Sequence, residues 1–220
     1  MKTCLTLAAA HCILEKNTQT QTLAGDVIAL LGAHNLDDHN EIDRISLTPE
    51  KIKIHDDWKP SLPNFDADIA ILTFNKDAIS FSNYVQPICL WNGDIQPPVN
   101  EVFLAGWGNN KKSGDKSEVV PAKLKIPIHT NEHCFLMAKA LVDIASNRTF
   151  CAGSDDGAAF CPADSGGGLT FQVKTTFFFR GIVTSSLVDD ENKCDVNKMA
   201  IFTDLLKFKG WVDQILKTDD

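Results

Sequence analysis

The chain has 220 residues, 44% of them hydrophobic and 23% charged, which is ordinary for a soluble globular protein and ample for a sizeable core. Its 29 acidic against 21 basic side chains leave a formal charge of −8, which argues against a nucleic-acid or anionic-membrane partner. No apolar run approaches the ~20 residues of a membrane helix, and there is no internal repeat.

In chain order, the strand-length runs rich in β-branched and aromatic residues are Val27 to Leu31, Ile45 to Ile54, Ile69 to Phe74, Val102 to Gly106, Ala122 to Ile128, Phe177 to Val183 and Met199 to Phe202. Gly32, Pro60 to Pro63, Asn92-Gly93, Pro97-Pro98, Gly108 to Gly114 and Asp155 to Gly157 punctuate them. Two helices are predicted, a short one over Asn131 to Val142 and a terminal one over Thr203 to Leu216. In the second, Leu205, Leu206, Phe208, Trp211, Val212, Ile215 and Leu216 gather largely on one face. The chain therefore reads as all-β with a C-terminal helix.

Seven cysteines stand at 4, 12, 89, 134, 151, 161 and 194, with no Cys-x-x-Cys pair. His129 and His133 beside Cys134 have a metal-like spacing, but Pro127 and the lack of a second nearby cysteine argue against zinc. Neither a metal nor another cofactor is expected. Disulfides in an oxidising compartment are the better account of the cysteines, and Asn147-Arg148-Thr149 is a glycosylation acceptor that suits the same compartment. The acidic stretch Asp37, Asp38, Glu41 and Asp43 is expected to be a solvated loop.

The most informative stretch is Phe160-Cys161-Pro162-Ala163-Asp164-Ser165-Gly166-Gly167-Gly168-Leu169. Three glycines after a serine free the backbone and allow close approach of another molecule; taken alone, it is equally well a turn between strands. Upstream stand Leu7-Ala8-Ala9-Ala10-His11-Cys12 and Asp66-Ala67-Asp68-Ile69-Ala70-Ile71-Leu72. Together with FLAGWG, FCAG, RGIVTSS and AIFTDLLKFKGWV, these segments resemble, in order, the landmarks of the trypsin/chymotrypsin-like serine protease family. The likeness is to secreted insect-type domains in particular, and it covers nearly the whole chain.

The resemblance implies two antiparallel six-stranded β-barrels followed by the helix, with the first barrel incomplete. The single protease domain would span 1–220, with sub-barrels at roughly 1–95 and 96–202 and the helix at 203–217. It implies a triad of His11 as base, Asp68 as its orienting carboxylate and Ser165 as nucleophile, with the backbone of Ala163 and Ser165 as oxyanion hole. The substrate pocket would be formed by Ala159, Phe160, Thr184, Ser186 and Ala200. Disulfides Cys134–Cys151 and Cys161–Cys194 are implied as well. Cys12 would lack its usual upstream partner, with Cys4 as a possible substitute. Cys89 falls where relatives tether a pro-segment. The partner expected is a protein or peptide substrate, and the location extracellular.

Three departures bear on activity. Ala163 replaces the family's glycine in the oxyanion hole, where loss of one donor costs roughly 10²–10³ in kcat. Asp164 in relatives pairs with a freshly cleaved N-terminus, and none is present here; the leading methionine is read as a start inside a longer gene product rather than a signal peptide. Ala159 at the pocket floor offers no carboxylate for arginine or lysine, so a small or apolar residue is the expected preference. The chain is thus expected to be a serine endopeptidase domain that is inactive as it stands, with a non-catalytic homologue acting as a binding or cascade cofactor as the alternative.

Overall fold

The computed structural model describes residues 3–15, 18–62, 64–98, 101–108, 119–153, 165–186 and 199–218. The first half contributes β1 (Thr3–Ala8), β2 (Ala29–Leu31), β3 (Ile45–Leu47), β4 (Lys51–Ile54) and β5 (Ala70–Asn75). β5 lies between β1 and β4, antiparallel to both, while β2 and β3 form a separate ribbon. The run Ile45 to Ile54 is two strands rather than one. Pro49 has no N–H to give a sheet ladder, and the chain turns there before resuming at Lys51. β1 lies outside the strands read from the sequence, yet Leu7 joins the apolar packing against the seam between the two halves.

The second half comprises β6 (Cys89–Leu90), β7 (Val102–Gly106), β8 (Ala122–Lys125), β9 (Ile128–His129), β10 (Thr149–Ala152), β11 (Gly168–Val173), β12 (Thr176–Ser186) and β13 (Ala200–Asp204). Their order is β8-β7-β11-β12-β13-β10-β9, with β6 added in parallel to β12. The two ends of that path, β8 and β9, are separated in sequence only by Ile126 and Pro127. They are the halves of the single strand expected over Ala122 to Ile128, bent where Pro127 interrupts the ladder. The ring therefore closes, and it contains six strands once that bend is recognised. The first half stays an incomplete barrel, as the resemblance implies.

Between β9 and β10 the chain forms α1 (Asn131–Met137), capped by Thr130, whose hydroxyl accepts from the His133 N–H. It then breaks at Ala138 before the single turn α2 (Leu141–Ile144). The expected single helix to Val142 is thus two short ones. α3 (Leu205–Thr218) follows β13 directly, and Asp204 Oδ1 accepts the N–H of Leu206 as its cap. Leu205, Phe208 and Val212, spaced by three and four, face inward.

The second barrel is filled by Val102, Leu104, Ile126, Phe150, Leu169, Phe171, Val183 and Phe202. A smaller cluster of Ala9, Ala67, Ile69, Ile182, Leu205 and Phe208 lies where the two halves meet. Ala9 immediately precedes the turn carrying His11, and Ala67 and Ile69 flank Asp68. Helix α3 therefore buries the seam that carries both residues. Cys134 and Cys151 form a disulfide tying α1 to β10. Cys4, Cys12 and Cys89 are free thiols. The possible Cys4–Cys12 bridge is not made: Cys4 sits opposite Phe74, and the strand runs on to Ala8 opposite Ala70. At about 3.3 Å per residue the strand carries the chain roughly 13 Å from Cys4 before the turn that holds Cys12 begins. Cys161 and Cys194 lie outside the described residues.

Candidate active site

His11 lies in the 3-10 turn Ala10–Ile13, just beyond β1. Ala9 and Ala10 are fully buried against the seam, so the turn cannot slide, and the imidazole is aimed toward the turn that precedes β5. There Asp68 is completely buried. Both of its carboxylate oxygens serve one residue: Oδ1 accepts the backbone N–H of His11 at 2.8 Å, and Oδ2 is 2.8 Å from the ring Nδ1. A buried carboxylate in this position makes Nδ1 the protonated nitrogen and leaves Nε2 to face outward. Phe65 meets the imidazole edge-on, with ring centroids 5.9 Å apart.

Asp68 is held from behind as well. Thr203 Oγ1 donates to the Asp68 carbonyl at 3.0 Å, and the Thr184 hydroxyl lies 2.8 Å from Thr203 Oγ1. Because Thr203 spends its hydrogen on the carbonyl, Thr184 is the donor in the second contact. Thr184, expected on the pocket wall, is buried with its hydroxyl turned toward Thr203. The other wall positions, Ser186 and Ala200, are opposite each other in the β12–β13 register, and Ala200 is fully buried. Ala159, Phe160 and Ala163 lie outside the described residues.

The turn Phe65 to Asp68 contains a strained residue. Ala67 has φ +56° and is buried, a left-handed conformation that costs a residue with a Cβ about 1–2 kcal/mol. Its carbonyl accepts the Ile69 N–H at 2.7 Å. Asp66, which reads in the sequence as a surface loop acid, is tied to the second barrel. Arg148 Nε donates to Oδ1 at 2.9 Å, Nη2 donates to Oδ2, and the Ser146 hydroxyl donates to Oδ1 at 2.8 Å. The Arg148 hydrogen bonds hold the Asp66 carboxyl below the usual carboxylate range against the opposing effect of burial. Nothing local in the sequence signals a partner so far along the chain.

Ser165 opens the described segment that leads into β11 and is partly buried. Gly166 follows at φ +84°, its N–H donating to the Val183 carbonyl at 2.8 Å. A methyl group at Gly166 would lie 3.5 Å from Cys12 Sγ and 3.9 Å from the Ala9 nitrogen. The serine's loop therefore runs against the turn that carries His11 and Cys12. Beside His11 is an open cavity of about 510 Å³, walled by Leu14, Trp58, Pro60, Leu62 and Phe65 together with the polar Thr18 and Gln19.

Nε2 of His11 faces the Cys12 thiol, 3.4 Å away. Burial is the largest single influence on the ring and disfavours its charge. The Asp68 hydrogen bond, the Cys12 contact and the electrostatic attraction of both together outweigh it, and His11 is pushed up to about 10.

The acidic loop is better organised than its composition suggests. The Glu41 carboxylate accepts the N–H groups of His34 and Asn35, and Arg44 Nη1 donates to the carbonyls of Asn35 and Asp38 at 3.1 and 2.6 Å. The guanidinium thus supplies the positive charge inside the loop. Among the described residues no group of three His, Cys, Asp or Glu side chains is placed to hold a metal ion.

A closed barrel and an open one meet at a seam that holds a histidine anchored on a buried aspartate, with the loop of a serine followed by three glycines packed against it. The family model named Trypsin matches residues 1–212, and the chain belongs to the trypsin family. It is 29% identical to serine protease gd of Drosophila melanogaster over 94% of this chain and 44% of that protein. It is 31% identical to the proclotting enzyme of Tachypleus tridentatus, over 94% of this chain and 54% of that protein. With coagulation factor IX of Cavia porcellus the figures are 28% identity, 93% and 67%. The chain thus spans about half the length of the first two of these relatives. Among the described residues no helix is long and apolar enough to cross a membrane.

Proposed function

We propose that this chain is the protease domain of an extracellular serine endopeptidase that cleaves a protein or peptide substrate. Ser165 attacks the scissile carbonyl while His11 Nε2 takes its proton, and the resulting imidazolium, stabilised by Asp68, then protonates the leaving amine. Water hydrolyses the acyl-enzyme by the same steps in reverse. The observation that carries this reading is the double engagement of the Asp68 carboxylate by His11, through backbone and ring, which sets the tautomer the chemistry needs. The backbone N–H groups of Ala163 and Ser165 are assigned to the oxyanion hole, and Ala159 at the pocket floor favours a small or apolar side chain. The names of two relatives refer to clotting, which supports a protein substrate within a proteolytic cascade. The exposed, free Cys89 is suited to a disulfide with a separate pro-segment.

A second reading, a non-catalytic homologue that binds partners, is favoured by one specific observation. His11 Nε2, the atom that would take the serine proton, has the Cys12 thiol 3.4 Å away.

Fluorophosphonate labelling between pH 6 and pH 10.5, with peptide mapping, separates the two readings. A protease domain labels at Ser165 increasingly as His11 loses its proton, and a His11→Ala variant does not label. A folded protein left unlabelled across the whole range would leave only the binding role.

A further inference from the structure

The turn that aims Asp68 is the least comfortable backbone near the site, because Ala67 holds a positive φ while buried. Such a turn persists only when its surroundings over-determine it. Most of the groups that do so come from the other barrel. The N–H of Phe65 donates to the Ile144 carbonyl at 3.1 Å. Asp66, two residues before Asp68, receives the planar fork of Arg148 and the Ser146 hydroxyl, and Ser146 Oγ in turn accepts the Arg148 N–H at 3.0 Å. The remaining arm of Arg148, Nη1, reaches Asp57 Oδ2 at 2.7 Å. The guanidinium lies over the Phe208 ring, 5.2 Å from its centre, and Phe208 belongs to the seam cluster with Ala67 and Ile69. Fork, ring and strained turn form one assembly spanning both halves of the molecule.

We propose that Arg148 is a positioning residue for the His11–Asp68 couple, acting across the seam by clamping Asp66 and so fixing the turn that aims the buried carboxylate. The proposal rests on the reading of that couple as the general base. A guanidinium suits the task where an ammonium does not: its rigid fork fixes the orientation of the Asp66 carboxylate as well as attracting its charge. The same turn carries Phe65, so the clamp also sets the wall of the cavity beside His11.

The test uses the full chain and a readout that needs no catalysis, the Nδ1–H resonance of His11 and its titration by NMR. In Arg148→Gln and in Asp66→Asn the resonance moves upfield or broadens, and the His11 midpoint falls by about one pH unit as the ion–dipole geometry loosens. Combining the two substitutions adds little to either alone. Arg148→Lys, which keeps the charge and loses the fork, gives an intermediate response. Asp57→Asn leaves the fork on Asp66 intact and leaves His11 unchanged, as does Lys53→Gln, which removes only the exposed Lys53–Asp56 pair. If Arg148→Gln does not fold, the Asp66→Asn and Arg148→Lys comparison decides alone. A folded Asp66→Asn or Arg148→Lys variant with the wild-type His11 resonance and midpoint overturns the proposal, and so does an Asp57→Asn response as large as that of Asp66→Asn. Labelling at Ser165 separates this from the protease reading. Where wild type labels, Arg148→Gln slows it about tenfold; where wild type never labels but His11 still responds, the clamp stands and the protease reading falls.

Discussion

Replacing Arg180 by alanine is expected to destabilise the protein severely without touching the candidate site. Arg180 and Asp204 are both buried and joined by two hydrogen bonds, one of them Nη2 to Oδ2 at 3.2 Å. The guanidinium is sandwiched between two rings, 4.0 Å from the centre of Phe150 and 4.5 Å from that of Trp91. Removing it strands a buried carboxylate, which costs about 3–5 kcal/mol, and deletes two ring contacts worth roughly 1 kcal/mol each. These terms share one side chain and do not simply add, so a loss of about 4 kcal/mol is the expectation. For a chain of this length that is roughly 8–16 °C in Tm. Urea unfolding followed by tryptophan fluorescence reads it as a lower midpoint at unchanged slope. Asp204 also caps α3 through Leu206, and asparagine keeps the cap while removing the charge. The double variant Arg180→Met/Asp204→Asn should therefore recover much of the loss. A cost below about 1 kcal/mol for Arg180→Ala, the range of exposed pairs, would refute the account of a desolvated, ring-stacked pair.

Three further outcomes are expected. The raised His11 pKa stabilises the fold fully below its unfolded value near 6.5, and the contribution drains away as pH rises toward about 10. The difference in urea stability between wild type and Asp68→Asn should accordingly shrink from pH 6 to pH 10.5, and a difference that grows would contradict the assignment. Cys134 and Cys151 are 17 residues apart, so replacing both with alanine should cost about 3 kcal/mol by loop-closure entropy, measured by the same unfolding assay. Asn147 is exposed at the head of its acceptor sequence, while the Thr149 hydroxyl is buried and bonded to Ser146. Protein secreted from insect cells should therefore carry a glycan at Asn147 that PNGase F removes and Asn147→Gln abolishes, and a native mass matching the bare peptide would rule it out.

The pairing of His11 with Asp68 was implied by the resemblance, in which the Ile-Ala-Ile-Leu run after Asp68 singles it out from Asp66, and the two side chains are in contact. What could not be read there is what Asp66 does, since its partner is 82 residues away and composition says nothing about such distances. The contact between Cys12 and Nε2 was hidden for a different reason: the residues are adjacent, and whether the thiol meets the ring depends on how the turn packs. Strand reading failed in recognisable ways. β11 was obscured by the glycines that introduce it, and β1 lacks the β-branched density that marks the other strands. Pro49 and Pro127 both stood inside apolar runs, and each broke or bent its strand because a proline nitrogen has no hydrogen to donate. The terminal helix was read nearly to its limits, its start displaced because Thr203 and Asp204 complete a strand first.

The burial of Ala9, Ala67 and Ile69 beneath Leu205 and Phe208 also bears on the order of synthesis. The residues that close the seam come after every other described element in the chain, while those that carry the histidine and the aspartate emerge much earlier. A domain generally folds as a unit, and before α3 is made the first half lacks the cover that Leu205 and Phe208 give these residues. The seam around His11 and Asp68 is therefore enclosed only after α3 has been made.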